Sequence, residues 1–66
     1  MRLTIDGLDQ ETPDGLTVEG LLVWLGEPRH ELIVEVNHRF VHPGNYQSLG
    51  LNPGDRVELI HAAFGG

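Results

Sequence analysis

Polar and apolar residues alternate near both ends of the chain. Residues 2–6 place Leu3 and Ile5 on one side of an extended backbone, and residues 56–59 alternate in the same way. A period of two is typical of a strand with one buried face. Both segments are therefore predicted strands.

A short second strand is predicted near residues 9–12. It follows Asp6-Gly7, a pair that favours a tight turn between antiparallel strands. The segment is polar throughout, so we expect an exposed edge strand, where charge opposes aggregation.

One amphipathic helix is predicted, at about residues 17–26. Thr17 is a good N-cap, and Gly26 is a typical C-terminal stop. The apolar positions recur at helical spacing and form one stripe: Val18, Leu21, Leu22 and Leu25. Trp24 lies off that stripe, so it either covers the rim of the core or contacts a partner.

Two further strands are predicted after the helix, at residues 32–36 and 39–41. Asn37-His38 is the turn between them, because asparagine tolerates a positive φ. In the first of these strands Ile33 faces away from the core. Tyr46 is predicted to fill the space beneath the loop at residues 42–48.

The order of elements predicts an α+β fold, in which a small mixed sheet of four to five strands packs on one main helix. We expect a single domain spanning residues 1–66, with a flexible C-terminal tail at about residues 62–66. The turn at residues 52–55 introduces the last strand, and that strand leads into the tail.

Composition excludes several classes of function. The net charge is −6, with ten acidic residues, four arginines and no lysine, which argues against a nucleic-acid partner. The charge either maintains solubility or steers the protein to a basic partner. No segment approaches the roughly 20 apolar residues of a membrane helix, so we expect a soluble cytoplasmic protein.

The sequence predicts no metal site and no enzyme active site. The four histidines, His30, His38, His42 and His61, lie on different predicted elements without zinc-ligand spacing. His38 and His42 lie at the two ends of the predicted strand at residues 39–41. Whether their side chains come together is left open by the sequence. No nucleophile has a recognisable base beside it, and there is no cysteine.

Apart from Phe64, the last five residues have small side chains or none. Gly65 and Gly66 have no Cβ, so this end can enter a narrow channel with its α-carboxylate foremost. A frayed chain end is the alternative interpretation.

Four short motifs spread over the chain share the pattern of one family: Thr17-Val18-x-x-Leu21-Leu22, Val34-x-Val36-Asn37 with Phe40-Val41, Gly54-Asp55-x-Val57 and Gly65-Gly66. With them the chain resembles the bacterial sulfur carrier proteins, which have the ubiquitin-like β-grasp fold. The thiamine-pathway carriers of the ThiS type are the nearest match, and the molybdopterin synthase small subunit (MoaD) is a relative.

The resemblance implies a mechanism for the chain end. A ubiquitin-activating-like adenylyltransferase of the ThiF or MoeB type would adenylate Gly66 with ATP. Sulfur from a cysteine desulfurase or another source would then give a thiocarboxylate, which donates to a thiazole synthase of the ThiG type. Gly65, Phe64 and Ala63 would give the partners access, and no cofactor would be held stably.

By the same resemblance, partners dock on the exposed sheet face near the last strand. Phe64, together with Ile33 or Ile60, would supply apolar contacts, and Arg56 and Glu58 would flank them. Ile60 could equally belong to the core, depending on where the alternation slips. The free protein is expected to be a monomer.

Alternative functions remain at this point. The sulfur could serve molybdopterin synthesis, or cysteine or homocysteine synthesis. The domain could also be a non-covalent ubiquitin-like binding module, or a modifier conjugated to lysines of other proteins.

Overall fold

The computed structural model describes residues 1–28 and 31–61. These residues form the following elements in chain order: β1 (Arg2–Ile5), β2 (Leu8–Glu11), α1 (Val18–Leu25), β3 (Leu32–Val36), β4 (Arg39–Val41), the 3-10 helix η1 (Pro43–Asn45) and β5 (Arg56–His61).

The five strands form one mixed sheet in the order β2-β1-β5-β3-β4. Strands β1 and β5 run parallel, whereas the β1–β2, β3–β4 and β3–β5 pairs are antiparallel. The first and last strands of the chain therefore lie side by side at the centre of the sheet. The predicted α+β architecture is confirmed.

One face of the sheet packs against α1 and forms the core. The helix buries Val18, Leu21 and Leu22, the first three residues of the predicted stripe, and Leu25 is partly buried against them. The sheet and the loops complete the cluster with Leu3, Ile5, Leu32, Val34, Val36, Val41, Tyr46, Leu51, Val57 and Leu59. Removal of this apolar surface from water is the main contribution to stability.

The helix begins and ends where its capping residues predict. The Thr17 side chain accepts the backbone N–H of Gly20 at 3.1 Å. Gly26 has a φ of 73°, and its N–H donates to the carbonyl of Val23 at 3.1 Å. Both ends therefore have partners for backbone groups that a helix cannot pair internally.

The loop after β4 also caps the helix, which the sequence did not reveal. The carbonyl of Tyr46 accepts the N–H of Glu19 at 2.8 Å, and the carbonyl of Leu49 accepts the N–H of Val18 at 3.0 Å. The Tyr46 side chain is buried beneath this loop, as predicted. One segment thus fills the core and pairs the first turn of α1.

Two details differ from the sequence-based expectation. Strand β2 is Leu8–Glu11, one residue earlier than predicted, and Thr12 is buried instead of lying on an exposed edge. The Thr12 backbone N–H donates to the Met1 carbonyl at 2.7 Å, which draws this residue inward.

Trp24, which lies off the apolar stripe of the helix, is 46% exposed. None of the helices in the described part of the chain is long and apolar enough to cross a membrane.

Candidate functional site

The candidate site is built on β5, because this strand leads into the predicted tail. Five consecutive residue pairs join β5 to β3, from Val36 opposite Val57 to Leu32 opposite His61. Its other neighbour is β1, to which it runs parallel. Strand β1 pairs with the start of β5, and β3 accompanies β5 along its whole length to His61.

An aspartate side chain continues the pairing between β1 and β5 after β1 ends. The backbone N–H of Asp6 donates to the carbonyl of Val57 at 3.0 Å. The Asp6 carboxylate then accepts the N–H of Leu59 at 2.8 Å. From the sequence, Asp6 was recognised only as a turn residue, since nothing local indicates a partner so far along the chain.

The start of β5 is held by the turn between β3 and β4. The Asn37 side chain accepts the N–H of Arg56 at 2.9 Å and donates to the carboxylate of Asp55 at 3.1 Å. Asn37 has a φ of 53°, as predicted for this turn. The turn residue therefore also sets the position of the last strand.

The sheet face opposite α1 carries an exposed apolar pair. Ile33 lies directly opposite Ile60 in the β3–β5 register. They are 36% and 43% exposed, whereas Val57 and Leu59 point into the core. The outward prediction for Ile33 is confirmed, and the open question about Ile60 is resolved in favour of the surface.

The next row of the same face is acidic and aromatic. Glu35 lies opposite Glu58 on one side and opposite Phe40 on the other. Phe40 is 53% exposed, and its ring meets the His42 ring edge to face at a centroid distance of 4.8 Å. Phe40 was not among the residues expected to dock, although its alternation with buried Val41 already placed it outward.

Arg56 completes this face at the start of β5. It is exposed, lies opposite Thr4 of β1 and precedes Glu58 by two residues. We use the name docking face, after its predicted role, for the surface formed by six residues: Ile33, Glu35, Phe40, Arg56, Glu58 and Ile60. The structure thus brings together Ile33, Arg56, Glu58 and Ile60, which the sequence analysis named, and adds Glu35 and Phe40. The other expected contact, Phe64, lies outside the described residues.

The far end of β5 is tied to the segment after the helix. Nε2 of His61 lies 3.2 Å from a carboxylate oxygen of Glu27. The predicted tail residues Ala63, Phe64, Gly65 and Gly66 lie outside the described residues, as does His30. Their roles stay predictions.

An open groove of about 360 Å³ lies beside β4. Among the described residues, its lining contains no histidine, carboxylate or thiol, so these residues offer no acid–base pair. The polar groups that it does contain are those of Arg39, Asn45 and Ser48.

A five-stranded mixed sheet with β1 and β5 parallel at its centre and one helix across one face is a ubiquitin-like β-grasp domain. This is the class that the fold defines. The sequence profile of the ThiS family matches residues 2–66. The chain belongs to the ThiS family.

Solved structures agree with this assignment. The crystal structure of the thiamine biosynthesis protein ThiS from Geobacter metallireducens superposes with a TM-score of 0.89 at 26% identity, covering 100% of both chains. A solution structure of a thiamine biosynthesis protein from the same organism gives 0.82 at 28% identity, over 100% of this chain and 88% of that one.

Two curated relatives are much longer proteins. Thiazole synthases from Magnetococcus marinus and Paramagnetospirillum magneticum are each 33% identical to this chain over 66 residues. The match covers 100% of this chain and 20% of each of those proteins. The chain therefore spans one fifth of the length of these relatives.

Proposed function

We propose that this ThiS-family protein is a sulfur carrier of thiamine biosynthesis. The α-carboxylate of Gly66 is activated, converted to a thiocarboxylate and used as the sulfur donor for thiazole formation. The observation that carries the proposal is the family match, which extends through Gly65 and Gly66. The β-grasp body and the position of β5 support it.

The chemistry follows from the poor reactivity of a carboxylate. Attack of the Gly66 carboxylate on the α-phosphate of ATP forms an acyl-adenylate and releases pyrophosphate. The terminal sulfur of a persulfide then attacks the acyl carbon and displaces AMP, and reductive cleavage of the S–S bond by a thiol leaves the thiocarboxylate. The carrier is the substrate of these steps, which we place in partner enzymes of the cytoplasm.

The tail residues act through their small size. Gly65 and Gly66 allow the carboxylate to enter a narrow catalytic channel, since a Cβ at either position would add bulk. Ala62, Ala63 and Phe64 join them to β5, whose position is set by β3 and by Asp6. The domain therefore presents the reactive end from a strand that is paired with β3 as far as His61.

We propose that partner enzymes recognise the folded domain through the docking face. Ile33, Phe40 and Ile60 offer apolar contact area, while Glu35 and Glu58 favour a partner surface that carries arginine or lysine. We propose that the adenylyltransferase binds here. Because the tail leaves from the same central strand, a partner on this face can also receive the tail.

The curated relatives favour thiazole formation over the other sulfur acceptors. In each of them a segment similar to this chain accounts for 20% of a protein called thiazole synthase. Two functions combined in one polypeptide commonly act in succession. We therefore propose that a thiazole synthase of the ThiG type receives the sulfur, in preference to molybdopterin, cysteine or homocysteine synthesis.

The test is the intact mass of the 66-residue protein after incubation with ATP, a persulfide source and the adenylyltransferase from the same organism. We expect a gain equal to the replacement of one oxygen atom by sulfur, and fragmentation should assign it to Gly66. A variant without Gly65 and Gly66 should show no gain.

The matched control is Gly66→Ala, which keeps the length of the tail and adds only a methyl group. We expect no conversion of this variant, although the binding of its body to the adenylyltransferase should persist. If the enzyme is active on another carrier but the mass of the natural chain does not change, the proposed carrier function is wrong. That result would favour a non-covalent binding module. Normal conversion of Gly66→Ala would overturn the narrow-channel argument.

A further inference from the structure

Three potential metal ligands meet on the sheet surface. Glu35 of β3 lies directly opposite Glu58 of β5, and His38 comes from the turn after β3. Nδ1 of His38 lies 3.7 Å from a carboxylate oxygen of Glu58. One ligand atom from each of the three residues lies within 4.8 Å of the other two.

The two facing carboxylates place like charges next to each other on the sheet surface. Two like charges directly opposite each other on neighbouring strands destabilise a sheet. Within residues 1–28 and 31–61, no arginine forms an ion pair with Glu35 or Glu58. A cation bound between the two carboxylates would convert their repulsion into attraction.

The position of His38 is set by the backbone. Asn37 and His38 form a two-residue turn with φ values of 53° and 67°, between the paired residues Val36 and Arg39. The Asn37 side chain ties this turn to Asp55 and to the backbone of Arg56. The backbone of His38 is therefore held beside β5 by contacts that do not involve either glutamate.

We propose that Glu35, His38 and Glu58 form a binding site for a divalent transition metal of the zinc class. One imidazole nitrogen and two carboxylate oxygens suit Zn²⁺, whereas Mg²⁺ and Ca²⁺ prefer oxygen ligands alone. The His38 side chain is 71% exposed and that of Glu58 is 38% exposed, so both can move the short distance that coordination requires. Because these side chains are exposed, a metal bound by them would keep coordination positions that solvent can reach.

This site would add a bound metal ion to the docking face, and the proposed sulfur chemistry does not require one. A metal with open positions could accept a ligand from a bound partner. The site cannot be recognised from the spacing of its residues in the sequence, because Glu58 lies 20 residues beyond His38. The register between β3 and β5 brings the two residues together.

The experiment is a titration of untagged, ¹⁵N-labelled protein with zinc chloride at neutral pH, in a buffer that does not chelate zinc. We expect saturable shifts of the amide signals of residues 35, 38 and 58, and of the His38 ring. His38→Gln and Glu58→Gln should each lower the affinity by at least about tenfold, the smaller of the losses that follow removal of a second-shell partner.

His42→Gln is the matched control, because it removes an exposed histidine of the neighbouring strand end. It should bind zinc as the natural chain does. Melting temperatures without zinc should show that all three variants are folded, which is expected because the substituted side chains are partly or fully exposed.

Three outcomes would overturn the proposal. Unchanged zinc affinity of His38→Gln would assign the metal to other residues. Equal competition by calcium would show that the imidazole is not a ligand. Absence of saturation at millimolar zinc would show that the cluster is only a surface group of charges.

Discussion

The Asp6 carboxylate accepts the backbone N–H of Leu59 at 2.8 Å, although 53 residues separate the two in sequence. Asp6 itself has a φ of 50°, in the left-handed region. Its side chain supplies the acceptor that β1 would have provided had the strand continued. This bond links the first strand of the chain to the last.

We expect Asp6→Ala to lower the free energy of unfolding by about 1–3 kcal/mol, because the partly buried N–H of Leu59 loses its acceptor. Alanine is also disfavoured at a positive φ. Urea denaturation followed by circular dichroism measures the change. Asp6→Asn is the control, since asparagine keeps a side-chain oxygen and tolerates this φ. An equal loss in Asp6→Asn would contradict the role of the bond.

The docking face can be tested without changing the core. Ile33→Ala/Ile60→Ala removes a cross-strand pair that is 36% and 43% exposed. We expect the KM of the adenylyltransferase for the carrier to rise about tenfold, which corresponds to about 1.4 kcal/mol of binding. Pyrophosphate release measures this parameter.

The matched control for that double variant is Val23→Ala. Val23 is 73% exposed on α1, which packs against the opposite face of the sheet. It should leave the KM unchanged. A similar rise in both variants would show that the partner does not distinguish the two faces.

Gly20→Ala should stabilise the protein. An alanine inside a helix is favoured over glycine by up to about 1 kcal/mol. A Cβ at Gly20 would lie 3.3 Å from Cδ2 of Leu16, the end of a half-buried side chain that can move aside. Chemical denaturation should show an increase of a few tenths of a kcal/mol or more. A decrease would mean that the Leu16 side chain cannot shift.

The stability should depend on one exposed carboxylate at low pH. The N-terminal ammonium of Met1 lies 2.7 Å from Asp14, and its hydrogen bond and charge lower the pKa of Asp14 below 3.8. A lowered pKa means a stabilising contribution that is present above pH 3.8 and is lost as the pH falls through the folded-state pKa.

Asp14→Asn tests this dependence. The variant should be slightly less stable than the natural chain near neutral pH, and the two should converge below the folded-state pKa of Asp14. Thermal melts over a series of pH values measure the difference. A constant difference across the acidic range would contradict the ion pair. The contribution should also weaken with added salt, because Asp14 is exposed.

Local sequence patterns determined most of the elements. Apolar periodicity identified α1 and the outward direction of Ile33, and capping chemistry identified Thr17 and Gly26. Positive-φ residues identified the turn at Asn37. These predictions succeeded because each depends on neighbours within a few residues, where backbone sterics and side-chain periodicity act. The family motifs then pointed to the β-grasp fold.

Tertiary structure alone decided what depends on pairing between distant segments. The register of the sheet sets the parallel pairing of β1 with β5 and the hydrogen bond between Leu59 and Asp6. It also sets the outward position of Ile60. The same register sets Glu35 opposite Glu58, near His38. Hydrogen bonds between strands specify which residues face each other, and sequence spacing carries no record of those partners. The periodicity of this chain therefore determined its elements, and the sheet register determined which side chains lie together on its exposed sheet face.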